Sequence, residues 1–317
     1  MKMSAFNKLM ATRRAFLTDG GLETWLFFQQ GFDAPEFAAV TLVDDPAARQ
    51  ALNTYFDHFL AIAEQADTGF VLDTNTWRGC TIWAEKLGVS AQELLAMSAK
   101  SVEFAKQIRS RWSSRVEPIL INGVIGPADD GYRPGELLKA EAAEALHWPQ
   151  IETFANAGTD MISAITITNI GEAVGIARGA TKVGLPVVIS FTAETDGRLP
   201  TGDLLGEAIE AVDSATDGAP AYYMINCAHP DHFRDAIAKG EAWISRIGGL
   251  RANASRLSHE ELDESEELDQ GDPVEFGHLH LDLAQLLPNL RVVGGCCGTD
   301  FRHVGCVSQE LHLAHAV

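Results

Sequence analysis

The sequence predicts a (β/α)8 barrel of parallel strands. Three observations lead there. Short apolar, β-branched segments alternate with longer helix-like segments along the whole chain, the pattern of α/β folds with parallel strands. The strand-like segments number eight. Glycines, cysteines and small polar residues gather just past the ends of those segments, where a barrel collects its βα loops at one mouth.

The first strand-like segment, Phe16–Asp19, runs into Gly20-Gly21. Gly69–Asp73 is followed by Thr74-Asn75-Thr76-Trp77, and Pro118–Gly123 leads towards Pro127. Asp160–Ile165, Pro186–Phe191 and Tyr222–Cys227 come next, then Gly248–Asn253 and Leu290–Gly295, the last opening into Cys296-Cys297-Gly298. Between them, apolar residues spaced by three and four predict helices over Asp45–Gln65, Ala91–Trp112, Glu136–Ala157, Glu172–Lys182, Asp203–Thr216, Pro230–Lys239 and Pro273–Leu287, with Phe301–Ala316 as the eighth. Eight such repeats in 317 residues suit one barrel over residues 1–317 better than a doubly wound sheet. The tract His259–Asp272 carries eight carboxylates within the seventh βα unit. Its self-repulsion predicts an exposed, solvated insertion, with a lid over the mouth or an oligomer contact as alternatives.

Bulk properties narrow the function. A net charge of -20 repels phosphate backbones and anionic membrane surfaces, so nucleic acid and membrane are not expected partners. No apolar run reaches the length of a membrane span and none resembles a signal peptide, which predicts a soluble, cytoplasmic protein. The Gly-rich segment at the eighth strand lacks the G-x-G-x-x-G order of a dinucleotide site. Self-association is left open.

Five cysteines, at 80, 227, 296, 297 and 306, do not make a disulfide framework and suit thiols or metal ligands. Cys227 ends the sixth strand and Cys296-Cys297 end the eighth, so a barrel can bring three sulfurs together. Zinc favours thiolates, and a catalytic site keeps a fourth position open. Adjacent cysteines on a regular strand point to opposite faces, so convergence requires the strand to break, and Gly294, Gly295 and Gly298 permit this. Small buried hydrophobes, or a redox pair between the adjacent cysteines, are the competing readings, the second disfavoured by strain. Cys80 and Cys306 are expected to be structural.

At these residues the sequence resembles the homocysteine S-methyltransferase family. That family includes the betaine–homocysteine and S-methylmethionine–homocysteine methyltransferases and the homocysteine domain of cobalamin-dependent methionine synthase. The resemblance runs through LTDGG (Leu17–Gly21), TNT (Thr74–Thr76), IGP (Ile125–Pro127), NC (Asn226–Cys227) and GGCCGT (Gly294–Thr299). It implies a zinc ion on Cys227, Cys296 and Cys297, and an acceptor whose amino-acid end lies near Asp19, Gly20, Gly21 and Thr74. Asn75, Asn226 and Trp77 complete the expected substrate-binding set. Asp19 is read either as orienting the acceptor or as capping its turn, and the Gly20 and Gly21 N–H groups as carboxylate donors. Trp77 and Trp25 are candidate aromatic faces for a cationic methyl donor, with packing as the alternative.

The implied reaction moves a methyl group from a sulfonium or quaternary ammonium donor, such as S-methylmethionine, S-adenosylmethionine or betaine, to homocysteine. A non-catalytic zinc- and thiol-binding barrel, a different thiol acceptor, and Lewis-acid chemistry on an oxygen substrate are the alternatives. One departure stands out. Relatives carry a glutamate for the acceptor ammonium at the end of strand four, where this sequence has Ile165 within Ser163–Asn169. Glu194, after strand five, is a candidate substitute.

Overall fold

The computed structural model describes residues 3–133, 135–265 and 267–313. Eight parallel strands close in sequence order: β1 (Phe16–Leu17), β2 (Phe70–Asp73), β3 (Ile119–Ile125), β4 (Met161–Ile167), β5 (Val187–Thr192), β6 (Tyr222–Asn226), β7 (Ile247–Ala252) and β8 (Val292–Gly295). The predicted (β/α)8 barrel is therefore the observed fold.

The helices are α1 (Ala5–Ala11), α2 (Leu22–Thr24), α3 (Pro46–Gln65), α4 (Ala91–Trp112), α5 (Ala140–Ala157), α6 (Ile170–Val183), α7 (Leu205–Thr216), α8 (Pro230–Ala238), α9 (His259–Asp263), α10 (Pro273–Leu286) and α11 (Phe301–Ser308). Their starts follow local chemistry. Asp45 accepts the Ala47 and Ala48 N–H groups ahead of α3, Ser90 and Glu93 form a capping box at α4, and Asp272 caps α10.

Three details differ from the sequence reading. Helix α1 was not foreseen, because its two-turn apolar face is too short to stand out from the basic N-terminal segment. Residues 136–139 are not helical, and α5 begins at Ala140 with Lys139 as its cap residue. The final helix turns π-helical over Gln309–Leu313, and the rest of its predicted span to Ala316 lies outside the described residues.

Strand alternation divides the core in two. One set of side chains, including Leu17, Phe70, Leu72, Ile121, Ile162, Ile189, Ile225 and Leu250, packs outward against the helices. The other set fills the barrel: Phe16, Val71, Leu120, Met161, Val188, Tyr222, Met224 and Val292. Leu9 of α1 is fully buried in this inner cluster, so α1 plugs the end at which the strands begin. The opposite end carries polar and sulfur-bearing side chains in place of an apolar plug. No described helix is long and apolar enough to cross a membrane.

Candidate metal centre

Two strands leave regular geometry at the mouth. Thr166 on β4 and Cys227 just after β6 adopt left-handed conformations, with φ of 64° and 51°. Such residues cost about 1–3 kcal/mol each when they are not glycine. Asn226 offsets this cost. Its Oδ1 accepts from the Thr166 N–H (3.0 Å) and the Ser190 hydroxyl (2.6 Å), while its Nδ2 donates to Thr166 Oγ1 (2.9 Å). The bonds tie β4, β5 and β6 together and leave Cys227 lining the central cavity.

Strand β8 ends at Gly295, and Cys296 and Cys297 form a turn closed by Gly298 at φ 77°. The break expected between the adjacent cysteines is present, and only Gly298 of the three glycines supplies a positive φ. Cys296 N–H donates to Ala252 O (2.8 Å), and Thr299 Oγ1 donates to Cys296 O (2.7 Å). The first βα turn packs directly on this one. A Cβ on Gly21 would lie 2.5 Å from Cys296 O, so only glycine fits there.

Three sulfurs result, all within 4.8 Å of one another. Cys227 and Cys297 Sγ are 3.9 Å apart, and Cys227 and Cys296 approach to disulfide contact with Cα atoms 5.5 Å apart. The disulfide contact lies between Cys227 and Cys296, and the adjacent Cys296–Cys297 pair, disfavoured from sequence by strain, is not bridged. Disulfide and metal site draw on the same two sulfurs and are alternative states. The donor set fits a thiophilic metal. Tetrahedral Zn–S bonds of about 2.3 Å place sulfurs about 3.8 Å apart. Each sulfur also faces a polar donor: Thr166 Oγ1 to Cys227 (3.8 Å), Asn226 Nδ2 to Cys296 (3.8 Å) and Tyr132 OH to Cys297 (3.5 Å). Burial pushes the Cys297 thiol above its ordinary pKa.

Beside the sulfurs, Arg251 of β7 is buried and donates to Asp19 Oδ1 (2.6 Å), to Asp73 and to Gly295 O (3.1 Å). Burial alone would lower the Arg251 pKa, but the two aspartates hold it above the ordinary value. Burial pushes Asp19 up to about 6, against the opposing pull of Arg251. Asp19 also accepts from Tyr55 OH (3.1 Å), so its carboxylate is engaged on both oxygens and takes no backbone N–H of the turn it was expected to cap. Sequence reasoning missed Arg251, although a charged residue inside an apolar strand segment was the available signal.

A cavity of about 430 Å³ opens over the sulfurs. Of the expected substrate-binding residues, Asp19, Gly20, Gly21, Thr74 and Trp77 line it. The Gly21 N–H, expected to be free for a carboxylate, is committed to Thr299 O (3.0 Å). Two asparagines lie elsewhere: Asn75 is turned away to donate to Ala39 O (2.8 Å), and Asn226 sits behind the cysteines as a positioning residue. Trp77 donates from its indole to Ile165 O (3.2 Å), and its ring already carries the Arg78 guanidinium at 4.0 Å. Trp25 packs on Tyr55 in the core at 5.0 Å.

Arg78 is itself held between Trp77 and Trp83 and donates to Asp129 O (2.9 Å), while burial lowers it to about 10, still charged at neutral pH. Ile165 lines the cavity at a β4 bulge. Glu194 does not line it, because its carboxylate meets His259 Nδ1 at 2.9 Å.

The acidic tract is more than a solvated excursion. Ser258 and Glu261 cap α9, His259 is buried with Nε2 2.7 Å from Cys227 O, and its ring stacks on Tyr132 at 4.1 Å. Leu262, Asp263, Ser265, Glu267, Leu268 and Asp269 form part of the cavity wall, and Glu266 lies outside the described residues.

Comparison with known proteins gives a consistent picture. The family model for homocysteine S-methyltransferase matches residues 16–311. Homocysteine S-methyltransferase of Escherichia coli (strain K12) is 24% identical over 280 residues, covering 83% of this chain and 84% of that protein. Crystal structures of the E. coli homocysteine methyltransferase MmuM, in metallated and oxidized forms, each superimpose with a TM-score of 0.74 at 20% identity over 96% of this chain and 99% of theirs. Because the family match runs from the first barrel strand into the last helical segment, the chain belongs to the homocysteine S-methyltransferase family and is a methyltransferase.

Proposed function

We propose that this chain transfers a methyl group from a sulfonium or quaternary ammonium donor to the thiol of homocysteine, giving methionine, at a zinc ion held by Cys227, Cys296 and Cys297. The observation that carries this reading is the convergence of three sulfurs, each facing a hydrogen-bond donor, at the floor of one cavity. When bound there, zinc supplies the charge that turns an acceptor thiol into a thiolate at neutral pH.

The chain's own residues do the rest. Donation from Thr166, Asn226 and Tyr132 favours the thiolate form of the cysteines and fixes their orientation. Burial holds the Tyr132 hydroxyl far above its ordinary pKa, so it stays a donor. Val124, Ile165, Leu262 and Leu268 wall the cavity with apolar surface, which excludes water from the path of the methyl group. Carboxylates of Glu23, Glu36, Asp130, Glu267 and Asp269 also line it, and their field favours a donor carrying positive charge. In the transfer a new S–CH3 bond forms as the donor's S–CH3 or N–CH3 bond breaks. The donor leaves as a neutral thioether or amine, and the thiol proton goes to solvent. Positioning of donor carbon and acceptor sulfur in line is the main demand on the protein.

A turnover screen tests this reading. Zinc-loaded protein is mixed with homocysteine and S-methylmethionine, S-adenosylmethionine, betaine or dimethylsulfoniopropionate, and methionine is measured. Methionine formation with one of these supports the assignment, and none with any of them overturns it.

A further inference from the structure

We propose that Glu23 is the anionic partner of the acceptor's α-ammonium, a role that the apolar Ile165 cannot fill from β4. This rests on the acceptor being an amino-thiol, as proposed above. The other carboxylates around the sulfurs are engaged or exposed to solvent. Asp19 and Asp73 are both engaged by Arg251, Asp263 pairs with Arg133 at 3.4 Å, and Glu194 meets His259 away from the cavity. Asp130 accepts the Tyr132 and Arg133 N–H groups, Asp269 accepts the Gly271 N–H, and Glu36 and Glu267 are exposed to solvent. Glu23 lines the cavity, and among the described residues it has no ion-pair partner. Its carboxylate accepts only its own backbone N–H.

Position supports the assignment. Thr24, the next residue, donates to Gly21 O (3.0 Å) and accepts the Gly298 N–H (3.2 Å), which ties α2 to the cysteine turn. Gly21 is pressed against Cys296 O. Glu23 is therefore fixed next to the metal turn, near enough to Cys297 for its charge to contribute to raising that thiol's pKa. In homocysteine two methylene groups join the sulfur to the carbon that bears the amine, so a sulfur at the cysteine turn brings the ammonium to nearby wall residues.

Electrostatics agrees. Glu23 is raised to about 7, chiefly by burial and then by the charges of Asp19 and Asp73, against the hydrogen bond from its own backbone N–H and the pull of Arg251. Arg78 also feels its field but is fixed between two indoles and makes no ion pair with it. A half-buried carboxylate without a counter-charge is costly, and an arriving ammonium reduces that cost.

The test compares homocysteine with its des-amino analogue, 4-mercaptobutanoate, by calorimetric titration of the zinc-loaded protein. Wild type should prefer homocysteine by about 10-fold or more, the scale of a hydrogen bond to a charged group. Glu23→Gln should erase most of that preference by weakening homocysteine alone, and adding Ile165→Glu to the variant should restore it. In wild type the preference should shrink as pH falls below about 7, where Glu23 becomes neutral. A Glu23→Gln protein with normal zinc content and an unchanged preference would overturn the proposal. Binding of homocysteine without turnover of any donor would sink the proposed reaction while the preference ratio still decides the role of Glu23. Wild type that binds neither thiol would overturn both.

Discussion

The two ends of this barrel are built from the same strands and do opposite things. Where the strands begin, Leu9 of α1 caps a column of Phe16, Val71, Leu120, Met161 and Val292, all apolar and buried. Where they end, the interior holds Asp19, Asp73, Arg251, Asn226 and three cysteines, with two non-glycine residues in left-handed conformations. The first end gains stability from area removed from water. The second spends it on burying charge and bending backbone. The contrast teaches that strand pairing carries the fold, while side-chain hydrogen bonds that clamp strand ends carry the site.

Substitutions at each end should separate these contributions. Cys227→Ser has the largest expected effect: zinc affinity should fall by about 1,000-fold or more, since one of three thiolates is lost. Metal analysis after dialysis reads this directly, and retained zinc would count against the three-sulfur site. Arg251→Met leaves Asp19 and Asp73 buried without their cation and should cost about 3–5 kcal/mol in urea unfolding. Leu9→Ala should cost about 3 kcal/mol by opening a cavity at the plugged end, yet leave zinc content unchanged. Loss of zinc in that variant would show that the two ends are coupled.

A further effect concerns pH. Burial lowers both His229 and His280 to about 4, and His280 bonds Phe276 O through Nδ1 (2.8 Å). Between pH 6.5 and 4 the unfolded chain binds protons at these positions that the folded protein refuses. The stability from each is present above pH 6.5 and is lost as pH falls towards 4, with a slope approaching about 1.4 kcal/mol per pH unit for each histidine. His280→Gln should flatten this acid limb in urea titrations run from pH 7.5 to 4.5, and an unchanged slope would exclude His280 as a contributor.

Much of this contrast is legible in the sequence because most of the barrel strands are apolar runs rich in β-branched residues between helix-length segments. The cysteine trio is legible too, since an adjacent Cys-Cys pair among glycines has few other uses. What stays hidden depends on contacts between strands. No residue-type signal announces that Thr166 and Cys227 take left-handed backbone, because neither is glycine and the stabilising partner, Asn226, acts across β4. The fate of Asn75 was illegible for the same reason, its amide being claimed by the Ala39 carbonyl from a distant loop. Arg251 and Glu23 were visible as charges within apolar stretches, and only the structure distinguishes the neutralised one from the one without a counter-charge.

The central claim is that one zinc ion sits on Cys227, Cys296 and Cys297 and takes the acceptor sulfur as its fourth ligand. X-ray absorption at the zinc edge, on reduced protein with and without homocysteine, tests it most directly. Three sulfur neighbours at about 2.3 Å are expected without the thiol and four with it. A sulfur count that does not rise on adding homocysteine, or a reduced protein that takes up no zinc, would contradict it.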